Sequence, residues 1–73
     1  MREYLKRFRT EMHLTQREVA NELNISESGY NLIEKGERQK DLNLSFVQKL
    51  SDIFGVSVSQ IIEEEAKLRE RVL

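Results

Sequence analysis

Residues 15–33 leave this chain few ways to fold. Thr15-Gln-Arg-Glu18 has the pattern of a capping box, in which the threonine hydroxyl accepts from the Glu18 amide while the Glu18 carboxylate accepts from the Thr15 amide. A helix therefore begins at Gln16, with Val19, Ala20 and Leu23 on its apolar face. Asn24 ends it, because asparagine enters the left-handed turn conformation more readily than any residue but glycine. Ser26 follows as the N-cap of a further helix that runs through Tyr30 and Ile33 to a stop at Gly36. Two helices joined across about three residues must cross steeply, and they can touch only where the crossing residue is small. Ala20 supplies that residue. Val19, Leu23, Ile25, Tyr30 and Ile33 are then turned inward, and Glu27, Ser28, Asn31 and Leu32 are left facing out.

The remainder reads as helix too. The sequence contains no proline, and its apolar residues recur at spacings of three and four rather than two. Tyr4, Leu5, Phe8 and Met12 form one face of a first helix, with Arg2, Lys6, Arg7, Arg9 and Glu11 on its polar side. Asn43 caps a helix that carries Leu44, Val47, Leu50 and Phe54 inward and stops at Gly55. Ser57-Val-Ser-Gln60 is a second capping box, opening a helix with Val58, Ile61 and Ile62. In the tail, Glu63 stands four before Lys67 and Glu65 four before Arg69, which supports continued helix. The expectation is an all-α fold of five helices at roughly 2–12, 16–23, 27–35, 44–54 and 58–72, in a single domain spanning 1–73 with its helix-turn-helix unit at about 16–35. Glu37 to Asn43 is polar and reads as a surface loop.

Composition narrows the chemistry. The 73 residues include no cysteine and one histidine, which excludes disulfides, thiolate metal sites, a cysteine nucleophile and a histidine metal cluster. There is no glycine-rich phosphate loop and no nucleophile with a partnered base, so the expectation is no enzyme, no cofactor and no metal. Glu63-Glu-Glu65 lacks the glycine and alternating oxygen ligands of a calcium loop and reads as a solvated helix face. No stretch is apolar enough to span a bilayer, and Met1-Arg-Glu-Tyr-Leu-Lys-Arg lacks a signal peptide's apolar region, so a cytoplasmic protein is expected. Twelve basic against 13 acidic residues give a net charge of −1, with a pI near 5.8, which does not by itself point to nucleic acid. The balance is nevertheless uneven. Residues 1–40 carry eight basic and seven acidic side chains, and residues 41–73 four and six.

The chain resembles the phage-repressor, Cro and Xre-like helix-turn-helix family. The likeness covers about residues 5–62 and rests on Leu14-Thr-Gln-Arg-Glu-Val-Ala20, Asn24-Ile-Ser26, Ile33-Glu-Lys-Gly36, Gly55-Val-Ser57 and Ile61-Ile62, in that order and spacing. It implies five helices, the third being the recognition helix, in a homodimeric transcriptional regulator of two-fold symmetric operators in double-stranded DNA. It further implies that Gln16 meets the DNA backbone and that Glu27, Ser28 and Leu32 face bases. Lys35, Arg38 and Lys40 fall where the family contacts phosphates, with Arg17 a further phosphate candidate, and Arg9 falls where the family pairs with the residue matching Glu34. The sequence departs from the family pattern in three ways. Asn24 and His13 stand where turn glycines are usual, the loop after Gly36 is about two residues longer, and Leu32 is apolar where a polar reader is common.

Several residues admit two roles. A Glu27 carboxylate can accept from cytosine N4 or simply favour the first turn of its helix. Ser28 and Asn31 are base readers or solvated surface. Arg9 is a structural partner of Glu34 or a phosphate ligand. Gly29, costly inside a helix, implies a close backbone approach to DNA or to a neighbouring helix. His13 has no second ligand nearby, and Tyr30 reads as core. Ile53, Val58, Leu68, Val72 and Leu73 are candidates for a dimer contact, the tail being either an interaction helix or a frayed end. The alternative function is a protein-interaction module on the same fold, which the near-neutral charge and Glu27 favour.

Overall fold

The computed structural model describes residues 1–70 and contains five helices: α1 (Glu3–Glu11), α2 (Gln16–Leu23), α3 (Glu27–Lys35), α4 (Leu44–Phe54) and α5 (Val58–Glu70). Among the described residues there is no strand. The all-α reading holds, and the expected bounds are met to within a residue for the first four helices. The helix expected at 2–12 starts at Glu3 and ends at Glu11, because His13 turns left-handed at φ 58°. The last two residues of the span expected at 58–72, together with Val72 and Leu73 as dimer candidates, lie outside the described residues.

The chain divides into two compact units, 1–41 and 42–73. In the first, α3 packs against both α2 and α1. The Thr15 capping box forms in full, the threonine Oγ1 accepting from the Glu18 N–H at 3.1 Å and Glu18 Oε1 accepting from the Thr15 N–H at 2.9 Å. Asn24 adopts φ 59° and ψ 42°, and Ser26 caps α3 by accepting from the Gly29 N–H at 3.0 Å. This joint seats a core of Leu5, Phe8, Val19, Ala20, Leu23, Tyr30 and Ile33. Met12, expected on the inner face of α1, is exposed, since it lies past the end of the helix that was to aim it.

Arg2 overturns its place on the polar face of the first helix. It is only 3% exposed. Its backbone N–H donates to the Glu34 carbonyl at 2.7 Å. Its guanidinium donates to the carbonyls of Ile33 at 2.8 Å, Arg38 at 3.2 Å and Lys40 at 3.3 Å, and also to that of Gln39. The last carbonyls of a helix lack partners within it and carry partial negative charge, so a buried guanidinium is well matched to the end of α3. Gln39 takes a left-handed φ of 53°. The polar loop after Gly36 is thus gathered around a buried cation.

In the second unit α4 and α5 pack together. Asn43 accepts from the Phe46 N–H at 2.8 Å and Ser57 from the Gln60 N–H at 3.0 Å, opening the two helices, and Gly55 closes α4 at φ 65°. Leu44, expected inside, is not, and Ile62 of the last helix is also on the surface. Leu44 is 63% and Ile62 52% exposed, while Phe46 is buried with Val47, Leu50 and Phe54. At 100° per residue, Leu44 lies roughly 100° round the helix from the centre of the 46/47/50/54 stripe, and Ile62 lies about 100° from buried Ile61. A hollow of about 200 Å³ opens among Leu42, Val47, Ile62, Glu65 and Ala66.

Candidate nucleic-acid interface

α3 has an inner and an outer side. Gly29, Tyr30, Ile33 and Glu34 are buried, whereas Glu27, Ser28 and Lys35 are exposed and Asn31 and Leu32 half-buried. Residues 28, 31, 32 and 35 follow the three- and four-residue spacing of one helix face, so they form a strip along the outer side. At a rise of about 1.5 Å per residue, nine residues span roughly 13 Å, a length that fits the roughly 12 Å width of a DNA major groove.

The direction of that strip is fixed from beneath by Glu34. Its Oε2 accepts from Arg9 Nε at 2.8 Å and its Oε1 from the Gln16 side-chain amide at 3.1 Å, so one buried carboxylate ties α1 and α2 to α3. Arg9 spends a second donor on the Leu14 carbonyl at 3.0 Å. Such a charge-assisted contact sets geometry more firmly than apolar packing alone, because a buried carboxylate that loses its donors is strongly destabilised. The sequence offered the Arg9–Glu34 pair but no sign that Gln16 joins it.

Gln16 also approaches Asn31 Oδ1 at 3.5 Å. A backbone-contact candidate from α2 and a base-reading candidate from α3 are thereby neighbours. The Asn31 oxygen has this contact, and among the described residues its amide nitrogen has no partner. Ser28 Oγ stands 3.5 Å from the capping Ser26 Oγ. Arg17, Lys35, Arg38 and Lys40 are all exposed.

Arg38 is held more closely than a loop residue need be. Its N–H donates to the Leu32 carbonyl at 3.3 Å and its own carbonyl accepts from Arg2. Its guanidinium returns to α3, with Nη1 3.2 Å from where a Cβ on Gly29 would stand. No sequence signal marks Arg2 as the residue that gathers this loop, since one basic side chain ahead of a helix is unremarkable. Beneath the site, the Tyr30 hydroxyl is buried without a hydrogen bond of acceptable geometry. Burial, followed by the nearby Glu34 charge, raises its ionisation far above the ordinary tyrosine range. It is a core residue.

A capped, tightly packed helix pair with a mostly polar outer strip on the second helix is the architecture of the helix-turn-helix class of DNA-binding regulators. The chain belongs to the Xre/Cro-like helix-turn-helix family, whose model matches residues 5–61. No curated protein and no solved structure shows significant similarity to it. Among the described residues no helix is long and apolar enough to cross a membrane, and no group of acidic or histidine side chains could hold a metal ion.

Proposed function

We propose that the chain is a small cytoplasmic transcriptional repressor that reads a two-fold symmetric operator as a homodimer, with α3 in the major groove. The observation that carries this reading is the outer strip of α3, backed by a buried carboxylate that fixes its aim. Ser28 and Asn31 read base edges by hydrogen bonding, Leu32 meets a thymine methyl, and Glu27 accepts from a cytosine amine. Arg17, Lys35, Arg38 and Lys40 engage phosphates, which sets register without carrying sequence, and Gln16 joins them by exchanging its contact to Asn31 or Glu34 for a phosphate oxygen. Ile53, Val58, Leu68, Val72 and Leu73 are the candidates for the contact between copies, and half-exposed Ile53, Val58 and Leu68 leave apolar surface for it.

A protein-interaction role on the same fold is favoured by one observation, the exposed Glu27 in a chain of net charge −1. Titration with a random-sequence duplex across a range of salt separates the two readings. DNA binding predicts that affinity falls linearly on a log–log plot, with a slope of roughly −0.9 per phosphate neutralised. Absence of binding at low salt, or binding indifferent to salt, contradicts it.

A further inference from the structure

We propose that Gly29 is a positioning residue for DNA binding, kept free of a side chain so that the Arg38 guanidinium can lie across the first turn of α3 and act on DNA from there. This inference rests on the DNA-binding reading.

Glycine at the third position of a helix needs a reason, since it costs roughly 1 kcal/mol relative to alanine. Backbone conformation does not supply one, because the residue lies within α3 and its φ is not positive. Nor does the cap. The same side-chain cap is made by Thr15, Asn43 and Ser57, and the third position of each of those helices carries a side chain: Glu18, Phe46 and Gln60. A close approach of DNA to a bare backbone is also disfavoured, because Gly29 is already buried. What distinguishes α3 is Arg38. A Cβ at position 29 would stand 3.2 Å from Arg38 Nη1 and 3.0 Å from the capping Ser26 Oγ. The guanidinium is the far end of a flexible side chain, so it is the group that would yield.

The placement of Arg38 is otherwise well determined. Its backbone is held at the N–H by Leu32 and at the carbonyl by buried Arg2. The loop is thus anchored so that its side chain reaches back along α3, and the bare first turn lets it settle there. The result is a cation against Gly29 in the first turn of α3, the turn in which Glu27 and Ser28 are exposed. A guanidinium that rests against the reading helix neutralises a DNA phosphate at lower entropic cost than one on a wholly free side chain.

The test is a double-mutant cycle with Gly29→Ala, Arg38→Ala and the pair, each titrated against a random-sequence duplex at several salt concentrations, with thermal unfolding in parallel. Gly29→Ala should unfold at the same temperature as wild type or higher, since alanine favours helix. It should nevertheless weaken DNA binding, by part of the factor lost in Arg38→Ala, because a Cβ 3.2 Å from Nη1 shifts the guanidinium without removing it. Each change should reduce the salt slope by up to about 1, and the double variant should bind no more weakly than Arg38→Ala alone. Gly29→Ala binding as tightly as wild type, or costing as much without Arg38 as with it, overturns the positioning role and leaves DNA binding itself intact. A wild-type protein that binds no duplex overturns both.

Discussion

Tyr30 shows how a single side chain can carry a stability signature that is not evident from its place in the core. Its hydroxyl is buried beside the Glu34 carboxylate with no well-formed hydrogen bond among the described residues, so it contributes packing at the expense of desolvation. Its ionisation is raised by burial first and by the Glu34 charge second, from an ordinary value of 10.0. A group raised in this way gives its full contribution below the unfolded value. Above about pH 10 the unfolded chain loses the proton and the folded chain keeps it, so stability falls as pH rises, by up to about 1.4 kcal/mol per pH unit. Tyr30→Phe should remove that part of the alkaline loss. Near neutral pH the variant should match wild type or exceed it by up to about 1 kcal/mol. Urea unfolding of both proteins at about pH 8 and about pH 11 checks this; equal alkaline losses in the two would show that Tyr30 ionises freely in the fold.

At the scale of elements, the helix ends decide where the site points. α3 is held at its start by Ser26 and at its end by Arg2, whose main chain and guanidinium take the carbonyls of Glu34 and Ile33. Arg2→Met should destabilise the protein by at least about 2 kcal/mol, because it strips charged hydrogen bonds from buried or part-buried carbonyls. It should also loosen the 37–40 loop, seen as faster amide exchange there than in α2; a loss below about 0.5 kcal/mol would contradict the anchoring role. Which parts of this were legible in the sequence follows from the range of the forces involved. The Thr15 box, the Ser26 and Asn43 caps and the left-handed turns at Asn24, Gly36 and Gly55 are local, and each could be read from a few neighbouring residues, whereas the turn at His13 was legible only as a family glycine position. The Arg9–Glu34 pair was legible only through resemblance to a family. Arg2 could not be read, because its partners lie more than 30 residues away and are backbone carbonyls, which have no residue identity. Leu44 was misplaced for a different reason. An apolar residue at the edge of a stripe reads as core until the angle of the stripe is known.

For the whole molecule, one recognition helix contacts only a few base pairs, so a domain this small should bind a lone half-site weakly and gain from pairing two of them. The half-sites should lie about one helical turn, roughly 34 Å, apart. Exposed Ile62 and half-exposed Ile53, Val58 and Leu68 leave the second unit with apolar surface suited to a partner copy. Sedimentation of the full chain and of a truncation after Glu65, with and without DNA carrying both half-sites, should find two copies per operator for the full chain. A protein that stays monomeric on that DNA would defeat the dimer, whereas a truncation that still pairs would assign the contact to the remaining α4–α5 surface rather than the tail.

If the outer strip of α3 reads DNA sequence, altering it must change base preference. Wild type, Ser28→Ala and Asn31→Ala are titrated against a duplex selected by the wild-type protein and against its single-base-pair variants at one fixed salt concentration. Each substitution should erase discrimination at one or two particular base pairs, by about 1 to 3 kcal/mol at each, and leave affinity for random-sequence duplex almost unchanged. Identical base preferences in all three proteins would contradict base reading by this strip.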